Sequence, residues 1–208
     1  MKENYIHFIG IGGISMSSLA HILLHSGKKV SGSDTAKTHL TDELEALGAK
    51  ISIGQRAENI TNPDLVVYTA AISDDNEELC AARNKGIRCI ERAYLLGEIM
   101  KRYGMPIAVS GTHGKTTTTS MLAHVLLSAD ADPTVTVGGE LDVIGGNLRL
   151  GNSKYFLTEA CEYHRSFLRF FPKMGIILNV DADHLDYFKD IDEIKETFCD
   201  FARLLPDD

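Results

Sequence analysis

The segment Ser110-Gly111-Thr112-His113-Gly114-Lys115-Thr116-Thr117 places glycines, a lysine and hydroxyls in an order suited to a polyphosphate. It follows the apolar run Ile107-Ala108-Val109 and opens a helical pattern through Met121, Leu122, Val125 and Leu126. In a strand–loop–helix of this kind, the N–H groups from Gly111 to Thr117 point at the anion. The helix dipole favours the negative charge. Lys115 would reach the β- and γ-phosphates, and the Thr116 hydroxyl would ligate Mg²⁺. A full Walker loop carries a glycine where Val109 stands, so this is a shortened one. The alternative is a Gly/Thr-rich turn ahead of a core helix. The strand before it and the helix after it favour a nucleoside triphosphate site.

Three further groups of residues could do chemistry. Gly10-Ile11-Gly12-Gly13-Ile14-Ser15 resembles G-x-G-x-x-G with serine for the third glycine. Gly10 permits the tight turn, and Gly12 lets the backbone approach a pyrophosphate. Asp34 ends the next strand, where a ribose-binding acid sits in dinucleotide folds. The alternative is that the glycines serve strand–helix packing and Asp34 caps a turn. Thr158-Glu159-Ala160-Cys161-Glu162 puts acids at the carboxyl end of an apolar strand, where Glu159 could join Thr116 on Mg²⁺; the alternative is a solvated turn residue. Asn179-Val180-Asp181-Ala182-Asp183-His184-Leu185-Asp186 follows another buried strand; in isolation it reads as a solvated loop, and an edge shared with the P-loop makes His184 a candidate for a metal or the γ-phosphate. His164 has a weaker claim. His7, His21, His25, His39 and His124 read as surface or packing residues.

The elements that would hold these groups alternate β and α. Strands are expected at Tyr5–Gly10, Lys29–Ser33, Ile51–Ile53, Leu65–Thr69 and Ile87–Ile90. Helices are expected at Ile14–His25, Thr41–Leu47, Asn76–Lys85 and Ala93–Arg102, with Gly27 and Gly48 as stops. Such alternation implies an α/β fold with a parallel sheet covered on both faces. Arg102–Pro106 reads as a joint, giving a Rossmann-like N-terminal domain over 1–104 and a P-loop α/β domain over 105–208. The second shows three strands, near Ile107–Ser110, Tyr155–Glu159 and Gly175–Asn179, and a closing helix over Asp192–Leu204. Either this unit is unusually small or it is a truncated domain of a longer protein.

Composition narrows the classes. The chain has 208 residues and a formal net charge of −8, which argues against a nucleic-acid or anionic-membrane surface. No apolar run approaches the ~20 residues of a membrane span. The N-terminus lacks a signal peptide's apolar core, and the four scattered cysteines form no C-x-x-C pair, as in a cytoplasmic protein with reduced thiols.

Taken together, the segments Ile6–Gly13, Val30–Asp34, Ser110–Thr118 and Asp181–His184 resemble the Mur ligases of peptidoglycan precursor synthesis, in order and spacing, over nearly the whole chain. The nearest branch joins L-alanine to UDP-N-acetylmuramate using ATP and Mg²⁺, and a sister branch recycles a tripeptide. The resemblance implies that the first domain binds the UDP-sugar through Gly10, Gly12, Gly13 and Ser15, with Asp34 and Thr69 at neighbouring strand ends. It implies an ATP site at Gly111, Thr112, His113, Gly114, Lys115, Thr116, Thr117 and Asn147. It makes Lys115 and His184 catalytic, Thr116 and Glu159 ligands of one Mg²⁺, and His184 a ligand of a second. Departures are Ser15 for glycine, Thr69-Ala70 for a serine pair, and Cys161 and His164 within the acidic stretch. The family's C-terminal domain is not represented, so this chain is expected not to turn over alone. The open sheet edge of a shortened domain would favour a homo-oligomer. A rival, an NAD-binding regulatory or dehydrogenase domain, rests on Gly10, Gly12 and Asp34 and leaves the P-loop unexplained. A non-catalytic nucleotide-binding relative is the other.

Overall fold

Short runs such as Phe8-Ile9 and Leu65-Val66-Val67 are apolar on both faces, which only a sheet covered on both sides can bury. The computed structural model describes residues 1–207, in two units, Met1–Leu95 and Leu96–Asp208. In the first, β1 (Tyr5–Ile9), β2 (Lys29–Asp34), β3 (Lys50–Ile53), β4 (Leu65–Tyr68) and β5 (Arg88–Glu91) form a sheet of order β3-β2-β1-β4-β5, parallel throughout. The helices are α1 (Ile14–His25), α2 (His39–Ala46) and α3 (Glu77–Asn84), with α4 (Arg92–Met100) running across the division. Thr38 and Thr41 make a reciprocal capping box on α2, and the Asn76 side chain caps α3. Strand order reverses between β1 and β4, so their carboxyl ends flank the crevice where such sheets bind ligands. The Gly10 loop and Thr69 lie at those two ends.

Gly32 sits in the middle of β2 because nothing larger fits. A Cβ there would stand 2.6 Å from Ile11 Cδ1 and 2.8 Å from the Phe8 carbonyl oxygen. Gly32→Ala is therefore expected to destabilise the protein by about 1–3 kcal/mol and to displace Ile11 within the glycine loop. Urea unfolding measures it, and an unchanged midpoint would show that Ile11 yields freely.

His7 is buried, not a surface residue. Its Nδ1 lies 2.8 Å from Ser31 Oγ and its Nε2 3.6 Å from Glu78 Oε2. Glu78, fully buried at the start of α3, also accepts from Ser33 Oγ and Asn59 Nδ2. The helix N-terminus and these donors are what a buried carboxylate requires.

The second unit departs further from expectation. β6 (Met105–Ser110), β7 (Thr134–Leu141), β8 (Gly146–Arg149), β9 (Tyr155–Ala160) and β10 (Met174–Ile177) form one mixed sheet of order β10-β6-β9-β7-β8. Only the β7–β8 pair is antiparallel. Five strands replace the three expected. The β-branched run Thr134-Val135-Thr136-Val137 was the signal for β7, and its hairpin return supplies β8. The segment read as a joint partly enters the sheet, since Met105 and Pro106 begin β6.

Helix α5 (Lys115–Ser128) turns inward only half of its apolar pattern, Leu122 and Leu126. Thr119 and Ala123 are buried, and Leu122 and Leu126 pack against Ile107, Val109, Val135, Val137 and Leu157. Met121 and Val125 are each 62% exposed. Close approach of helix to sheet selects small residues on the inner face. Helix α6 (Ile191–Ala202) starts from an Asp190 cap and docks by stacking Phe201 on Phe167 at 4.7 Å. The sheet's two edge strands among the described residues are β10, which pairs only with β6, and β8, which pairs only with β7. Among the described residues, no helix is long and apolar enough to cross a membrane.

Candidate nucleotide and metal site

The loop 111–114 leaves β6 between two parallel neighbours, and both hold it. On one side, Leu178 N–H donates to the Ser110 carbonyl and Thr112 N–H to the Asn179 carbonyl, at 3.0 and 3.2 Å. The Asn179 amide grips His113 twice, accepting from its N–H at 2.9 Å and donating to its carbonyl at 3.0 Å. Thr112 Oγ1 accepts from Asp181 N–H at 2.9 Å. On the other side, Ser110 Oγ donates to the Ala160 carbonyl. Gly111 has φ +141°, and a Cβ there would stand 3.0 Å from Leu178 Cβ, so glycine permits the close seam with the β10 end. Gly114 caps α5 in the left-handed region at φ +83°.

The first helical hydrogen bond runs from Thr118 N–H to the Gly114 carbonyl. The N–H groups of Gly114, Lys115, Thr116 and Thr117 precede it, and His113, Gly114, Thr116 and Thr117 are exposed. Backbone donors without a helical partner, in residues open to solvent, are what an anion site requires.

Asn179 carried no assigned role in the sequence reading, and only the return of β10 beside β6 reveals it. Asn179→Ala removes two hydrogen bonds that shape the loop, so Mg·ATP affinity is expected to fall about tenfold. Calorimetry measures this. A change below twofold would show that the loop keeps its shape without the amide.

Lys115 does not extend into the open. Its Nζ donates to the Gly111 and Thr112 carbonyls at 2.6 and 3.2 Å and pairs with Glu162 Oε2 at 3.0 Å. Glu162 Oε1 lies 3.9 Å from His184 Nε2. The His184 ring also lies against Tyr163, with centroids 4.5 Å apart. His164 contacts Tyr163 and Tyr187 from a left-handed backbone, φ 52°. The Tyr163 hydroxyl donates to Asp186 at 2.8 Å, which holds that carboxyl below its ordinary value and pushes the phenol up.

Thr116 and Glu159 both border the β7 glycine pair. Glu159 Oε1 accepts from Gly138 N–H at 2.8 Å, and a Cβ on Gly138 would stand 3.2 Å from Oε2. A Cβ on Gly139 would stand 3.9 Å from Thr116 Cγ2. The two glycines leave space beside the Glu159 carboxylate and the methyl end of the Thr116 side chain. Hard carboxylate oxygens, completed by phosphate and water, fit Mg²⁺. No cluster of three or more His, Cys, Asp or Glu side chains able to hold a metal occurs among the described residues. Asn147 lies on β8, three places from β6 in the sheet.

In the first unit the glycine loop is braced by β2. Gly10 and Ile11 N–H groups both donate to the Ser33 carbonyl at 2.9 Å, and Gly12 N–H donates to Asp34 Oδ2 at 2.7 Å. Asp34 thus supports the loop directly. Gly13, with no side-chain cap, starts α1, and Ser15 lies in its first turn. Thr69 Cγ2 would touch a Cβ on Gly10 at 3.9 Å, so the β4 end adjoins the loop.

Comparison with known proteins covers both units. The Mur ligase catalytic-domain family model matches residues 5–104, and the Mur ligase middle-domain model matches 109–208. UDP-N-acetylmuramate–L-alanine ligase of Clostridium beijerinckii is 63% identical over 207 residues, covering 100% of this chain and 45% of that protein. The chain spans a little under half the length of such curated relatives. The crystal structure of UDP-N-acetylmuramate–alanine ligase from Thermotoga maritima superposes with TM-score 0.88 at 37% identity, over 97% of this chain and 47% of that one. The UDP-N-acetylmuramate:L-alanyl-γ-D-glutamyl-meso-diaminopimelate ligase from Neisseria meningitides superposes with TM-score 0.89 at 31% identity, over 99% of this chain and 69% of that one. With both domain models matched in order and the two loops standing where the strands of each sheet require them, the chain belongs to the Mur ligase family.

Proposed function

We propose that this chain is the sugar-nucleotide- and ATP-binding portion of a cytoplasmic ligase that joins L-alanine to UDP-N-acetylmuramate through an acyl phosphate. The observation that carries the reading is the P-loop. The unpaired N–H groups at the start of α5, the adjacent lysine and the neighbouring Glu159 carboxylate support a site for a polyphosphate. The 63% identity with an alanine-adding enzyme, against 31% with a tripeptide ligase, favours alanine as the incoming group.

In this reading residues 1–104 hold the UDP-sugar, and residues 105–208 hold ATP. The glycine loop of the first domain spends its own N–H groups on Ser33 and Asp34. The pyrophosphate would therefore meet the start of α1 around Ser15, with Gly12 and Gly13 providing room. In the second domain the N–H groups from Gly114 to Thr117, ahead of the first helical hydrogen bond, and Lys115 would orient the triphosphate and offset charge on the transferring phosphoryl group. Thr116 and Glu159 would hold one Mg²⁺ and His184 would face a second, supplying electrostatic stabilisation of the phosphoryl oxygens. Muramoyl carboxylate attacks the γ-phosphorus with ADP leaving. The alanine amine then attacks the acyl carbon and phosphate leaves.

Titration of the purified chain with UDP-N-acetylmuramate, NAD and Mg·ATP tests the reading. Binding of the first and third without NAD is the expected result. NAD binding with no affinity for the UDP-sugar would turn the assignment to a dinucleotide-binding domain.

A further inference from the structure

Glu162 is a buried acid that the proposed chemistry does not employ. Its side chain is 2% exposed, and it contacts the one lysine that a phosphate would need. An ammonium has three protons. Those of Lys115 face the Gly111 carbonyl, the Thr112 carbonyl and the Glu162 carboxylate, whose two oxygens lie 3.0 and 3.3 Å from Nζ. Nothing is left over for a ligand. Sheet register produces the arrangement: β9 pairs with β6 as Val109↔Glu159 and Ser110↔Ala160, so the chain leaving β9 emerges level with the phosphate loop. The Glu162 carbonyl then accepts from Arg165 N–H at 2.8 Å, and the Cys161 carbonyl from Phe167 N–H at 3.1 Å, pinning the turn that carries the carboxylate.

A carboxylate here carries the charge that a phosphate oxygen would bring. We infer that Glu162 is a positioning residue that stands in for phosphate, holding the Lys115 ammonium folded over the loop until nucleotide displaces it. The inference rests on the ATP-binding reading. It explains why a nearly fully buried acid is kept beside a site for a polyanion, where its charge opposes binding. Without it, Lys115 would be half-buried and held only by carbonyl groups. With it, the lysine is already at the loop, and arriving phosphate exchanges one anionic partner for another. His184, 3.9 Å from Oε1, lies within reach of the same carboxylate, so the release would be felt there too.

A purely structural ion pair and a phosphate stand-in predict opposite signs. If Glu162 only supports the loop, Glu162→Gln loosens it and weakens nucleotide binding. If it competes with phosphate, Glu162→Gln frees the lysine, removes a repulsive charge and tightens binding. The probes are Mg·ATP and inorganic tripolyphosphate, titrated calorimetrically against the 208-residue chain, with thermal unfolding and UDP-N-acetylmuramate binding as checks of folding. The expected result is roughly tenfold tighter binding of both probes by Glu162→Gln, equal to ~1.4 kcal/mol. Glu162→Asp keeps the charge but shortens its reach and is expected to fall between the two. Should the glutamine variant fail to fold, the aspartate variant decides, and weaker binding than native would overturn the inference. Unchanged or weaker binding by a folded Glu162→Gln overturns it as well. Absence of binding by the native chain would overturn the ATP-site reading and the inference together, whereas native binding without the tightening overturns the inference alone.

Discussion

Lys115→Ala is expected to abolish measurable Mg·ATP binding and to lower stability in the same step. The first effect follows from removing the cation at the phosphate loop. The second follows from Glu162, which would remain buried without its partner. Breaking a buried pair from one side typically costs about 3–5 kcal/mol, or roughly 10 °C in the melting midpoint for a chain of this size. The two effects separate in the double variant Lys115→Ala/Glu162→Gln. There the unpaired charge is gone, so most of the stability should return while ATP affinity stays lost. A double-mutant cycle on melting temperature and on calorimetric affinity measures both. Retention of ATP affinity within threefold by Lys115→Ala would show that the loop backbone alone holds the phosphates.

Gly12→Asp is expected to eliminate UDP-N-acetylmuramate binding while leaving Mg·ATP binding intact. A Cβ at Gly12 would stand 2.9 Å from Asp34 Oδ2 and 3.1 Å from Thr41 Cγ2, so even alanine displaces the brace on the loop. The aspartate adds a second negative charge beside Asp34 and against the pyrophosphate. Gly12→Ala separates the two contributions, and its loss should be smaller, about tenfold for a modest distortion of the loop. Undiminished UDP-sugar affinity in Gly12→Asp would move the binding site away from this loop.

The features read correctly from sequence were those whose signals are local. Ile14–His25 shows its helix by apolar spacing and its end by Gly27, and the structure begins and ends α1 at the same residues. The two glycine loops announce themselves because a tight turn into a helix constrains residue type within a few positions. The parallel order of the first sheet follows from strand–helix alternation, since a parallel neighbour needs a crossover.

Other features depend on which strands become neighbours, and local spacing carries no record of that. The hairpin β7–β8 was missed, although Thr134–Val137 alternates in the manner of a strand, because glycines follow it and its partner is only four residues long. Of the apolar positions of α5, Leu122 and Leu126 reach the core while Met121 and Val125 stay exposed, because close packing on the sheet selects Thr119 and Ala123 on the inner face. His7 looked unremarkable until Ser31 and Glu78 came to lie beside it.

The sequence by itself determined where the chain makes its two glycine turns into helices, because backbone conformation at Gly10–Ser15 and Gly111–Thr116 depends on residues adjacent in the chain. Only the tertiary structure decided how those loops are held and what their side chains face. Asn179 reaches His113 because β10 pairs with β6, and Glu162 reaches Lys115 because β9 pairs with β6 on the other side. The partners are separated by 66 and 47 positions. Strand pairing is fixed by the collective burial of both sheet faces, and the charge and hydrogen-bond partners of a site follow from that pairing.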